Sequence, residues 1–320
     1  MPSHTMEIIK SSHDAVTRAR AFAHMSEAEL RRAAARAANE RDAQDLWALT
    51  EAYLTLHGDA GALASLHTYR AYRRGVWDLI EAWSDENLLR PSRDAAALWM
   101  RTLEAKGRKP ATLRVKLAAG KALYKALRWA AATAAEPFAD VRAARDPTAP
   151  WEKQGAYSRS ELDAILKGAD AYTGLVVLFG AHGGLRVAEM LNLKWSDIDL
   201  AERTIIVRHG KGGKRRTVNM SESLAGLLTS VAANIETGSS YVLPFRSRIT
   251  ARERLVRACH KAHVPFRGLH ALRHSAGTRL QRETGNLSLV ADHLGHATLD
   301  MARNYAKRDD EELKKAVDDW

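Results

Sequence analysis

Cysteine is nearly absent from this 320-residue chain, in which Cys259 stands alone. A single cysteine excludes a disulfide within the chain and a four-cysteine zinc site, and it fits a reducing compartment. Long apolar runs are also missing, since no stretch approaches the ~18 residues of a membrane span, and the first residues lack a signal-peptide pattern. We therefore expect a cytoplasmic protein with no membrane partner, in which Cys259 is a small buried residue.

Acidic residues are fewer than basic ones: the chain has 38 Asp and Glu and 49 Lys and Arg, for a net charge of +11. This excess favours a polyanionic partner, with DNA or RNA ahead of an anionic membrane. An ordinary soluble protein with a basic surface would show the same excess. Residues 1–150 carry 23 basic and 18 acidic residues, a net of +5, which leaves +6 for the rest of the chain. Both halves are therefore basic.

Three parts can be distinguished along the chain. Residues 1–40 are predicted to be a helical N-terminal extension without an assigned function, containing the capping box of Ser26 and Glu29. Residues 41–150 are almost entirely helical in pattern and end in a proline-containing linker. Their predicted helices are Leu46–Leu56, His67–Trp83, Asp94–Lys106 and Pro110–Ala134.

The third part, residues 151–320, has a mixed pattern. A second capping box, Ser158 and Glu161, opens a helix, and a longer helix is predicted over residues 174–192. Short β-like segments follow at Ile198–Leu200, Thr204–Arg208 and Arg216–Asn219, with a glycine-rich hairpin around Lys211 between the last two. We therefore predict a fold that is mainly α with a small β-sheet.

A basic stripe runs along the last helix of the second part. Between Arg101 and Arg128 the chain has nine Lys or Arg and one acid, Glu104. The members of the stripe follow helical spacing and are Arg114, Lys121, Lys125 and Arg128. A solvated basic face would explain them, but nine to one exceeds what solubility needs, which favours contact with a DNA backbone.

Four features in the second half suggest a common chemistry. They are Gly184-Leu185-Arg186 with Glu189, Lys211 in the glycine-rich hairpin, His270-Ala271-Leu272-Arg273-His274, and Leu294-Gly295-His296 followed by Tyr305. Each is weak alone: an H-x-x-R is expected by chance among 13 histidines, and a lone tyrosine is more often a core aromatic. The Walker spacing is absent around Lys211, so that hairpin is not a P-loop.

Taken together, the order, context and spacing of these features resemble the tyrosine recombinase family, also called the phage integrase family. Residues 41–150 then look like its core-binding, DNA-binding domain, and residues 151–320 like its catalytic domain with a C-terminal tail. The expected architecture is a two-domain DNA clamp. The family's six catalytic positions match Arg186, Lys211, His270, Arg273, His296 and Tyr305. Two departures are minor: the segment 239–250 is short, and Asp292-His293 replaces a more usual neutral pair.

The resemblance implies cleavage and rejoining of DNA through a 3′-phosphotyrosyl bond to Tyr305. Two guanidiniums, Arg186 and Arg273, suit the non-bridging oxygens of the phosphate. A tyrosine hydroxyl needs a base, for which His270 is the candidate, because its usual pKa is about 10. Lys211 would protonate the leaving oxygen, and His296 would hydrogen-bond the phosphate.

Supporting roles are expected for residues beside these positions. Glu189 and His274 would support the site without direct contact, and Lys214 and Arg215 would bind DNA. Neither ATP, a metal nor another cofactor is expected, because the phosphotyrosyl ester stores the bond energy and no cluster of ligands has metal-site spacing.

Double-stranded DNA is the expected partner, with self-association into a tetramer on DNA and a nucleoid-associated location. An accessory recombinase or DNA-bending protein is left open. Within the family we favour a Xer-like or integrase-like recombinase. The alternatives are a monomeric type IB topoisomerase, which uses the same chemistry, a DNA-binding protein with an inactive site, and a basic nucleic-acid chaperone.

Overall fold

The computed structural model describes residues 4–146, 155–208, 215–234 and 240–295. The chain divides into two compact units, Met1–Pro147 and Thr148–Trp320. In the described ranges, no helix combines the length and the apolar character that crossing a bilayer requires.

Six helices make up the described part of the first unit. They are α1 (His4–Ala23), α2 (Glu27–Asn39), α3 (Ala43–His57), α4 (Leu66–Ala82), α5 (Ala95–Ala105) and α6 (Pro110–Trp129), with a 3-10 turn at Gly61–Leu63. The predicted capping box of Ser26 and Glu29 opens α2, and Pro110 opens α6, where its missing N–H costs nothing. The prediction that α6 continues to Ala134 was wrong, because the chain turns at Ala130 and Ala131 has a positive φ of 51°.

The core of the first unit is built on the crossing of α4 and α6. Gly75 allows this close approach, because a Cβ there would lie 2.4 Å from the Cβ of Ala119. Phe138 closes one end of the core. Its ring stacks on Trp83 at 5.8 Å and packs against Gly120 of α6.

The first two helices, which form the predicted helical N-terminal extension, pack against the rest of the first unit. Ala15 and Ala19 of α1 are buried, and α1 packs against α3. Arg18 of α1 pairs with Glu51 of α3 at 2.8 Å. Leu30 of α2 belongs to the core cluster of the unit. The small apolar residues of these helices therefore contribute to the core.

The described part of the second unit holds seven helices and a small sheet. The helices are α7 (Arg159–Lys167), α8 (Ala171–Ala181), α9 (Val187–Asn192), α10 (Glu222–Ala233), α11 (Arg248–Lys261), α12 (Leu269–Thr284) and α13 (Leu287–Leu294). The expected capping box of Ser158 and Glu161 opens α7. Helix α8 is buried all round and forms the centre of the core. Cys259 is buried there, as predicted.

The predicted continuous helix over residues 174–192 was wrong. The helix breaks after Ala181, and the chain starts a new helix, α9, at Val187. Gly184 explains the break, because its φ of +62° is a left-handed conformation that a side chain would disfavour. The apolar spacing runs through the break and therefore conceals it.

The sheet has three antiparallel strands in the order β1-β2-β3, which are Ile198–Asp199, Thr204–Val207 and Arg216–Asn219. Ile205 pairs with Val218, and both side chains are buried. The prediction of a mainly α fold with a small β-sheet is confirmed.

Candidate active site

Arg186 lies at the N-cap of α9, directly after the helix break. Glu189, one turn later, accepts the backbone N–H of Arg186 at 2.8 Å and its Nη1 at 2.8 Å. Glu189 therefore satisfies the backbone N–H at the start of α9 and binds the guanidinium of Arg186 as well. Because one carboxylate holds both the backbone and the guanidinium of Arg186, the direction of this side chain is set by the start of α9.

The carboxylate of Glu189 is almost fully buried, with 3% of the side chain exposed. It also accepts Nη1 of Arg216, on strand β3, at 3.0 Å and Nη2 at 2.8 Å. Burial alone would raise the pKa of Glu189, but hydrogen bonds and positive charge from Arg216 and Arg186 outweigh burial and lower this pKa. Glu189 is therefore an ionised bridge between two guanidiniums.

Arg273 lies on α12 and is buried, at 1% exposed. Its Nη1 donates to the carbonyl of Gly184 at 2.5 Å, and its Nη2 donates to the carbonyl of Leu294 at 2.6 Å. These two bonds set the plane of the guanidinium. Because Gly184 precedes Arg186 by two residues, the same break in the helix positions both arginines.

The C-terminal end of α13 brings the arginines together. Three consecutive carbonyls there accept hydrogen bonds: that of His293 from Nε of Arg216 at 3.3 Å, that of Leu294 from Arg273, and that of Gly295 from Nη2 of Arg186 at 3.3 Å. A helix C-terminus carries partial negative charge, which guanidiniums stabilise. The guanidiniums on α12, β3 and the start of α9 therefore meet at one helix end.

His270 and His274 lie one turn apart on α12, with ring centroids 4.8 Å apart and planes at 89°. Partial desolvation and the charges of Arg273 and Arg186 lower the pKa of His270. Burial, with the charges of His270 and Arg273, lowers the pKa of His274 to about 4. Both imidazoles are therefore neutral near pH 7, and a neutral imidazole can accept a proton.

The structure thus places together five of the residues that were selected from the sequence: Arg186, Glu189, His270, Arg273 and His274. The remaining ones, Lys211, Lys214, His296 and Tyr305, lie outside the described residues. Arg215 is described and exposed, just before β3.

The basic stripe lies in the first unit, on the face of α6 that is turned away from the core. Arg114 and Lys125 are exposed, and Lys121 is half-buried. Arg128 already has partners within the protein, since it pairs with Glu136 at 2.8 Å and donates to the carbonyl of Ala135.

Sequence reasoning missed Arg216, although it chose the neighbouring Arg215. The strand pattern contained the signal, because side chains two apart on a strand share a face and Val218 is apolar. Sequence reasoning also noted His293 only as a departure from the usual residues of the family. The Nε2–H of His293 donates to the carbonyl of His182 at 3.1 Å, which ties α13 to the end of α8.

Comparison with protein families matches both halves of the chain. Residues 158–312 match the phage integrase family, and residues 62–131 match the phage integrase N-terminal SAM-like domain. The chain belongs to the phage integrase family of tyrosine recombinases. The resemblance inferred from the sequence is confirmed. So is the enzyme class, a tyrosine-type site-specific recombinase that breaks and rejoins DNA strands through a phosphotyrosyl intermediate.

Two relatives show how far the similarity extends. The tyrosine recombinase XerC of Xanthomonas campestris pv. campestris is 28% identical over 270 residues, which cover 79% of this chain and 82% of XerC. The tyrosine recombinase XerA of Thermococcus kodakarensis is 35% identical over 150 residues, but these cover only 44% of this chain and 53% of XerA. The match to XerA therefore spans about half of that relative.

Solved structures show the same fold at low sequence identity. The Tn1549 transposon integrase in complex with transposon right end DNA has a TM-score of 0.68 at 18% identity, covering 85% of this chain and 98% of that one. The XerH site-specific recombinase bound to a palindromic difH substrate has a TM-score of 0.67 at 20% identity, covering 86% and 84%.

Proposed function

We propose that Arg186, Arg273 and His270 form the described part of an active site that cleaves one DNA strand and attaches it to Tyr305. The observation that supports the proposal most strongly is the convergence of Arg186 and Arg273 on consecutive carbonyls at the end of α13. Two guanidiniums held this way can bind the non-bridging oxygens of one phosphate, on which charge develops during the reaction.

We propose that the proton transfers use His270 as the base and Lys211 as the acid. The neutral ring of His270 takes the proton of the Tyr305 hydroxyl, whose oxygen then bonds to the scissile phosphorus. Lys211 gives a proton to the 5′ oxygen as its bond to phosphorus breaks. His296 donates a hydrogen bond to the phosphate. The resulting 3′-phosphotyrosyl ester keeps the bond energy, so a 5′ hydroxyl can reverse the step without ATP or a metal.

The supporting residues have indirect roles in this proposal. Glu189 holds Arg186, and His274 packs its ring against the ring of His270. Lys214 and Arg215 would bind the backbone near the scissile phosphate. In the first unit, the basic stripe would contact backbone phosphates and thereby position the DNA.

We propose that residues 41–150 are the core-binding domain, that residues 151–320 are the catalytic domain with its tail, and that the two enclose double-stranded DNA as a clamp. Four copies would assemble on two duplexes, since exchange of strands needs four cleavages. In support, a structurally similar protein, lambda integrase, forms a tetramer bound to a Holliday junction. We propose a cytoplasmic, nucleoid-associated location, and leave an accessory recombinase or DNA-bending protein to experiment.

The test is to trap the covalent complex on genomic DNA of the source organism. The protein is mixed with sheared DNA and denatured with detergent, and DNA that stays attached is purified and sequenced. We expect one enriched sequence carrying protein at a 3′ phosphate. Random or absent attachment would contradict site-specific cleavage.

One variant and one further assay make the trapping experiment specific. Tyr305→Phe removes only the hydroxyl, so we expect no adduct while binding to the recovered site stays nearly unchanged. A persistent adduct in this variant would exclude Tyr305 as the nucleophile. Relaxation of supercoiled DNA by the wild-type protein without strand exchange would instead favour the topoisomerase alternative.

A further inference from the structure

Arg216 of β3 is held in an environment that its neighbour Arg215 does not share. Only 11% of its side chain is exposed, whereas Arg215 is exposed. All three nitrogens of its guanidinium donate: Nη1 and Nη2 to Glu189, and Nε to the carbonyl of His293. A surface arginine that binds DNA backbone does not need a buried set of internal partners.

The geometry around Glu189 gives these contacts a consequence for Arg186. Oε1 of Glu189 accepts Nη1 of both arginines, and Oε2 accepts the backbone N–H of Arg186 and Nη2 of Arg216. The planar fork of Arg216 binds both oxygens at once and so sets the plane of the carboxylate. The carboxylate in turn sets the position of Nη1 of Arg186.

We infer that Arg216 is a positioning residue for DNA cleavage, which acts through Glu189 on the phosphate-binding guanidinium of Arg186. The inference rests on the proposed function, in which Arg186 binds the scissile phosphate. Without Arg216, both oxygens of the buried carboxylate could bind the guanidinium of Arg186. By sharing the carboxylate, Arg216 leaves Arg186 bound through one oxygen and through the carbonyl of Gly295.

A second contact of Arg216 supports the same role. Its Nε donates a hydrogen bond to the carbonyl of His293, and Nη2 of Arg186 donates one to the carbonyl of Gly295, two residues later. Gly295 has a left-handed φ of +64°, and a Cβ there would lie 2.7 Å from Cδ of Arg216. The side chain of Arg216 therefore packs against the end of α13 to which Arg186 is bonded.

The experiment compares two substrates that differ in phosphate charge. Duplexes carrying the site recovered by adduct trapping are made with an ordinary phosphodiester, or with a methylphosphonate in which a methyl group replaces one non-bridging oxygen. The neutral methylphosphonate needs less stabilisation by a guanidinium. Single-turnover rates of adduct formation are measured at saturating protein for wild type, Arg216→Lys, Arg216→Gln and Arg186→Ala.

We expect Arg216→Lys, which keeps the charge but loses the planar fork, to slow phosphodiester cleavage at least ~10-fold, the scale of one charge-assisted hydrogen bond. Its rate on the methylphosphonate should fall much less, and its Kd for uncleaved duplex and its melting temperature should stay near wild type. Arg216→Gln should show the same selectivity with a larger loss. Arg203→Gln, whose exposed side chain pairs with Glu222 instead, is the control and should not change the ratio of the two rates.

The two possible failures can be told apart. Equal losses on both substrates for Arg216→Lys, or no loss, would overturn the positioning role and leave Arg216 structural, provided Arg186→Ala is selective for the phosphodiester. If Arg186→Ala lowers the rate of adduct formation equally on both substrates, Arg186 does not bind the scissile phosphate. The proposed function of that residue then fails together with the inference. A fall in melting temperature with equal rate losses would likewise count against positioning.

Discussion

Replacing Gly184 with alanine should destabilise the second unit more than the loss of a glycine normally does. Gly184 has a φ of +62°, and a Cβ there would lie 2.5 Å from Cδ2 of Leu294 and 3.3 Å from Cδ2 of His293. Leu294 is completely buried, so its side chain has little room to give. The substitution therefore adds backbone strain and a clash at the same position.

Each of the two costs has a typical magnitude. A left-handed conformation costs an L-residue about 1–2 kcal/mol, and overpacking a buried contact costs about 1–3 kcal/mol. Together they lower the free energy of unfolding by about 2–5 kcal/mol. Because the carbonyls of Gly184 and Leu294 both hold Arg273, the same displacement should also slow DNA cleavage.

Gly285 provides a matched control, because it has the same φ of +62° but no atom within 4 Å of an added Cβ. Gly285→Ala should therefore show the backbone strain alone, about 1–2 kcal/mol. The assay is urea denaturation followed by circular dichroism, with the rate of covalent adduct formation measured on the folded proteins. Gly285→Ala should leave that rate near wild type.

A Leu294→Ala background isolates the clash, since it removes Cδ2. There, Gly184→Ala should cost only the strain of about 1–2 kcal/mol, which leaves a coupling energy of about 1–3 kcal/mol between the two sites. Equal costs for Gly184→Ala and Gly285→Ala in the wild-type background, with no coupling to Leu294, would refute the reasoning.

Three further predictions follow from the charged side chains. Replacing Lys121 and Lys125 with glutamine should weaken binding to every DNA sequence and lower the slope of log K against log salt by about 0.9 per lost contact. Arg128→Gln, whose partner is Glu136, should change the slope less. If the slopes of all variants equal that of the wild type, the stripe does not contact DNA. The pKa of His274 is about 4 in the folded protein, below the usual 6.5, so the unfolded chain binds a proton at this residue more readily. The free energy of unfolding should therefore fall by about 1–2 kcal/mol, after allowance for solvent screening, as the pH drops from 6.5 to 4. His274→Asn should flatten that part of the urea-midpoint profile, and an unchanged profile would assign the loss to other groups. Arg273→Lys should slow adduct formation at least ~10²-fold, because an ammonium cannot hold two phosphate oxygens in one plane; wild-type rates would place Arg273 outside the site.

Much of this protein could be predicted from local sequence. The box of Ser158 and Glu161 defines a helix start by chemistry within one turn. Two β-like segments on either side of a glycine-rich hairpin locate β2 and β3. Arg186 and Arg273 could be selected because the reaction needs guanidiniums in a recognisable order.

What only the tertiary structure decided depends on contacts between distant parts of the chain. The break between α8 and α9 cannot be read from apolar spacing, because residues on both sides are buried. Arg216 looks like any basic residue beside a hairpin until it is seen to meet Glu189, 27 positions away. Arg186 meets Gly295 across 109 positions. Sequence patterns record what a residue can do, but which donor reaches which acceptor is set by the packing of α12, α13 and β3 around one buried carboxylate and one helix end.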